Sequence, residues 1–109
     1  MLPMKSVMLA TILLLLTATL TPAEARNHIG QQATVCGLVT HTHYAQRSRG
    51  KPTFLNFGKD FTVVIWSQNR QGVPERTYRE KRTCATGRIE TYRGVAQMSN
   101  PDLRLEPSP

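Results

Sequence analysis

Two long β-branched stretches, each with one internal glycine, constrain this chain most. Residues 33–42 read ATVCGLVTHT, with Gly37 near the centre, and residues 81–92 read KRTCATGRIETY, with Gly87 inside. Alternating β-branched residues predict strands. A glycine within a strand marks a bulge or a sharp bend. Between the two stretches, residues 53–57 and 61–66 predict a hairpin over Gly58-Lys59-Asp60. Arg93-Gly94 makes a turn, and a last strand starts at Val95, is interrupted by Asn100-Pro101-Asp102, and ends with Leu103 and Leu105. Residues 67–80 are polar, contain Gly72 and Pro74, and show no apolar period. They form a connector with room for one short helical turn near residues 75–79, between the third and fourth strands. Five strands in this order, two of them bent, predict an all-β fold and a small barrel.

The first 25 residues read as a signal peptide. Lys5 supplies the positive start, residues 7–20 are uncharged and largely apolar, and Ala23 and Ala25 stand at the −3 and −1 positions of an A-x-A cleavage site. The apolar run is short for a membrane span. Cleavage is expected between Ala25 and Arg26, leaving residues 26–109 as one small domain, periplasmic or secreted, with no membrane insertion after the cut. The leader holds one Lys and one Glu, so the formal charge of +7 stays with the domain. That balance favours acidic partners: nucleic acid, anionic lipid or acidic glycans. In an oxidising compartment the two cysteines, Cys36 and Cys84, read first as a disulfide, with two buried thiols as the alternative.

Residues 47–66 concentrate the chemistry. Arg47, Arg49 and Lys51 run straight into the aromatic hairpin that contains Phe54, Asn56 and Trp66. Cations beside aromatic-bearing strands are the equipment of a surface that holds a phosphate backbone and stacks bases.

Three stretches together resemble the bacterial OB-fold nucleic-acid-binding domains of the anticodon-binding type, including exported stand-alone members. They are Thr34-Val35-Cys36-Gly37-Leu38-Val39, the hairpin from Thr53 to Gly58 and from Phe61 to Trp66, and Ala85 to Gly94. The likeness spans nearly all of residues 31–105. It implies a five-stranded OB-fold barrel in which the first and fourth strands are antiparallel neighbours. Cys36 lies one residue before Gly37 and Cys84 three before Gly87, so both side chains are expected on one face, where a cross-strand disulfide is feasible and is favoured over free thiols. The sequence departs from the pattern in having cysteines on these strands and a short, polar connector before the fourth.

The resemblance also implies where ligands bind: the face of strands two and three, between the loop joining strands one and two and the loop joining four and five. The first loop contributes Tyr44, Arg47, Arg49 and Lys51, the second Tyr92 and Arg93, and Phe54, Asn56 and Trp66 lie between. Barrel packing and base stacking remain equal alternatives for Phe54. The facing of Trp66 is open, because Phe61, Val63 and Ile65 alternate inward as well as Val64 and Trp66 do. His41 and His43 share a strand face, but two imidazoles do not complete a metal shell, and neither a metal nor a cofactor is expected. The acids after the leader (Asp60, Glu75, Glu80, Glu90, Asp102 and Glu106) are scattered, so no catalysis is expected. The expected function is binding of single-stranded nucleic acid, such as DNA, or another polyanion. The alternative is a periplasmic interaction or stress module for a protein, peptide or small molecule.

Overall fold

The computed structural model describes residues 19–67 and 75–107. Most of the expected leader, residues 68–74 of the polar connector and the last two residues lie outside the described residues. The strands are β1 (Thr19–Leu20), β2 (Gln32–Leu38), β3 (His41–Tyr44), β4 (Thr53–Phe57), β5 (Phe61–Ile65), β6 (Arg82–Arg88), β7 (Glu90–Tyr92), β8 (Val95–Ser99) and β9 (Asp102–Leu105). Short 3-10 turns cover Ala23–His28 and Glu75–Thr77, the second where the connector left room for one. Among the described residues no helix is long and apolar enough to cross a membrane.

The ladders form two sheets, ordered β1-β2-β6-β9 and β3-β4-β5-β8-β7, rather than one continuous cylinder. Besides the connector from β5 to β6, three short segments cross from one sheet to the other. β2 leads into β3 through Val39, whose N–H donates to Lys81 O at 3.1 Å, and Thr40, whose N–H donates to Asn56 O at 2.8 Å. β6 leads into β7 through the buried Ile89. β8 leads into β9 through Asn100 and Pro101. Within the second sheet β5 runs parallel to β8, while the β3–β4, β4–β5 and β7–β8 pairs are antiparallel.

No bulge falls at the glycines. Gly37 stays in the β2–β6 ladder opposite Thr83, and Gly87 stays opposite Ala33. These glycines provide room instead. A Cβ at Gly37 would come within 2.6 Å of the Pro22 ring, and one at Gly87 would meet Pro101 at 3.4 Å. Absence of a side chain lets another segment lie directly on the strand.

Alternation sorts the second sheet, except that Val64 on the other face of β5 is buried as well. Leu55 and Phe57 on β4, Phe61, Val63 and Ile65 on β5, and Ala96 and Met98 on β8 all point into the core. Phe57 and Phe61 meet edge to face at 5.3 Å. Val35, Ala33 and Ala85 close the core from the first sheet. Cys36 and Cys84 are directly opposite one another in the antiparallel ladder and are joined by a disulfide, 48 residues apart in sequence. Direct opposition places both on one face, as the offsets from the glycines require. Two residues along that face, the Thr34 and Thr86 hydroxyls hydrogen-bond at 2.8 Å.

The segment read as a cleavage site is part of this packing. The Thr21 N–H donates to Glu24 Oε1 at 2.8 Å, and the Glu24 N–H donates to Thr21 Oγ1 at 3.2 Å. This reciprocal pair is a capping box, with Pro22 suited by its fixed φ to the start of the turn. The turn it opens buries Ala25 completely, and Leu20 joins the core as β1 pairs in parallel with β2. The same small residues that satisfy an A-x-A pattern therefore form the start of a capped turn.

Candidate functional site

The outer face of the second sheet carries the site. On β4, Phe54 and Asn56 alternate outward against the buried Leu55 and Phe57. Phe54 therefore faces away from the core, which removes barrel packing as its role. Phe54 is directly opposite Val64 on β5, and Asn56 is opposite Thr62. The inward register of Phe61, Val63 and Ile65 puts Trp66 on this outer face, half-buried. β8 adds Val95 and Gln97, with Gln97 aligned to Thr62, and β7 adds the exposed Tyr92 opposite Val95.

Two adjoining hollows run across this face. One, of about 180 Å³, is lined by Phe54, Val64, Trp66, Tyr92 and Gln97. The other, of about 410 Å³, shares Phe54, Tyr92 and Gln97 and extends past Asn56 and Thr62 to Lys59 and Arg93. Thr62 Oγ1 donates to Asn56 Oδ1 at 3.2 Å. That contact occupies the carboxamide oxygen and leaves its two N–H donors for a ligand.

The cationic loop is held at the other end. Ala45 N–H donates to Pro52 O at 2.8 Å, Lys51 N–H donates to Ser48 O at 2.9 Å, and Ser67 N–H donates to Gly50 O at 3.1 Å. The last bond ties the loop tip to the end of β5, so that Gly50 lies on the Trp66 indole. Trp66 is fixed in turn through its backbone N–H, which donates to Asn100 Oδ1 at 3.0 Å. At the opposite loop the Arg93 guanidinium lies 5.2 Å from the centre of the Tyr92 ring, a cation–π contact that steadies both side chains. Arg47, Arg49, Lys51, Lys59 and Arg93 make no ion pair among the described residues. One acid shares the face: Glu90, two residues before Tyr92 on β7.

The structure thus gathers Phe54, Asn56, Trp66, Tyr92 and Arg93 around one groove and brings the Arg47, Arg49 and Lys51 loop against its Trp66 end. Tyr44 is different. It ends β3 rather than entering the loop, and its pairing with Thr53 turns it to the face opposite Phe54. His43 replaces it. It is directly opposite Phe54, and the two rings stack with centroids 6.4 Å apart and planes 8° from parallel. His41 lies exposed on the same strand. Sequence reasoning also missed Val64, Thr62, Gln97 and Lys59. Alternation from Phe54 would have found His43 once the β3–β4 register was known. Gln97 had no local signal, because its place depends on the parallel pairing of β5 with β8.

No family model matches the sequence, and no curated protein matches it. Among solved structures the chain is similar to a protein assigned as an aspartyl-tRNA synthetase from Leishmania major Friedlin, with a TM-score of 0.53 and 12% identity. The match covers 82% of this chain and 20% of that protein. The chain therefore spans about a fifth of that protein's length, and what the two share is an OB-like β architecture.

Proposed function

We propose that this chain is an exported OB-fold protein that binds single-stranded nucleic acid, or a similar polyanion, across the outer face of its second sheet. The observation that carries the reading is the convergence of Phe54, Trp66 and Tyr92 on one groove with unpaired cations at both ends. Rings offer stacking to any base, and the flanking cations track the backbone. The fold belongs with this reading. The short segments that cross between the sheets would complete a five-stranded barrel, and the match to part of a tRNA synthetase adds a fold-level analogy. The Cys36–Cys84 bridge suits an oxidising compartment, where imported or extracellular DNA is the nucleic acid such a protein meets. On this reading the groove's side chains bind rather than react, since among the described residues that line it no nucleophile is paired with a base.

Titration of the protein with a labelled single strand across a salt series tests this. With the five groove cations engaged, log K should fall against log salt with a slope of up to about −3.5. Phe54→Ala should weaken binding by roughly 1–3 kcal/mol while leaving that slope in place. Absence of binding at low salt would reject the proposal.

A further inference from the structure

Gln97 is the polar group at the centre of the groove. It lines both hollows, lies half-buried among Phe54, Val64, Trp66 and Tyr92, and is aligned with Thr62 on the neighbouring strand. Asn56, the other carboxamide there, is already engaged by Thr62. The Gln97 carboxamide has no hydrogen-bond partner among the described residues. Its neighbours in the smaller hollow are three rings and a valine, while along the sheet it is flanked by Thr62 and by the exposed Glu90 directly opposite on β7.

Resting on the nucleic-acid reading, we propose that the smaller hollow takes one unpaired base and that Gln97 reads its edge, making this residue the determinant of base preference. A carboxamide offers one acceptor and two donors, the pattern that complements the polar edge of a base. The rings hold the base by its faces, which are alike for all bases. The amide meets the edge, which is not. A base whose donors and acceptors mismatch the amide leaves a buried polar group unpaired, and this is the source of discrimination. The hollow of about 180 Å³ is less than half the size of the adjoining one, which continues to Lys59 and Arg93 and would carry the backbone onward.

The test compares short homopolymers of dT, dC and dA with an abasic strand of equal length, for the native protein, Gln97→Leu and Gln97→Glu. The native protein should bind its preferred homopolymer about tenfold more tightly than the poorest, and the abasic strand more weakly than any. Gln97→Leu should bring the homopolymers to within about twofold of one another while keeping the salt dependence. Gln97→Glu removes both donors, and should reorder the homopolymers in favour of bases that present an amino group. An unchanged preference in both variants would overturn the assignment of Gln97. Equal affinity for abasic and base-bearing strands would show that no base enters, leaving a polyanion surface only. Failure of every strand to bind at low salt would remove the functional reading as well.

Discussion

Gly50 rests on the Trp66 indole: a Cβ at Gly50 would come within 2.8 Å of the ring. The loop bearing Arg47, Arg49 and Lys51 is thereby seated at the edge of the groove. Its φ of +79° adds a second reason for glycine, since other residues in that region are strained by about 1–2 kcal/mol. Gly94 has a similar φ of +81° with nothing within 4 Å of a Cβ. Gly50→Ala and Gly94→Ala should therefore lose similar stability through backbone strain. Only Gly50→Ala should also shift the fluorescence of Trp66, the sole tryptophan, and weaken strand binding. Identical emission in the two variants would mean that the loop is not seated on the ring.

Glu90 brings a carboxylate to a face otherwise equipped for anions. Glu90→Gln should tighten binding of a labelled single strand about twofold at low salt, an exposed charge being worth little more. The gain should vanish at high salt as screening takes over. Weaker binding in this variant would mean that the carboxylate contacts the ligand.

The Cys36–Cys84 bridge closes a loop of 48 residues, which in the chain-entropy model contributes on the order of 4 kcal/mol. A Cys36→Ala/Cys84→Ala protein should unfold at clearly lower denaturant than the native one, and reductant should move the native midpoint towards it. Coincident midpoints would show that the bridge contributes nothing. Freely reactive thiols in unfolded, non-reduced protein would show that it does not form.

Residues 19–25 contribute Leu20 and Ala25 to the core and place Pro22 on Gly37. A chain that starts at Arg26 loses these contacts and the Thr21–Glu24 capping box. It should be less stable than one starting at Thr19 by about 3 kcal/mol, from one buried leucine and one helix cap. Denaturant unfolding of the two chains measures this. Equal stability would leave Ala25 free to be the end of a leader.

Short-range patterns were legible. The β-branched alternation located the strands, Gly58-Lys59-Asp60 located the hairpin, and the odd offsets of Cys36 and Cys84 from their glycines anticipated a bridge on one face. A two-residue period is a property of a single strand, so it can be read without knowing the partner. The same logic placed Phe54 and Asn56 together. Ala23 and Ala25 were legible only as a cleavage pattern, and the cap formed by Thr21 and Glu24 emerged from the structure.

By itself, then, the sequence determined the all-β character, the stretches that form strands, the shared face of the two cysteines and the cationic and aromatic make-up of one hairpin. Tertiary structure alone decided which way Trp66 faces, why Gly37 and Gly50 must be glycines, and that Gln97 rather than Tyr44 lies in the groove. Each of these depends on a contact between segments far apart in the chain: Pro22 on Gly37, Gly50 on Trp66, β8 alongside β5. No local period encodes such a contact, because it is set by how the sheets pack and not by the residues on either side of it.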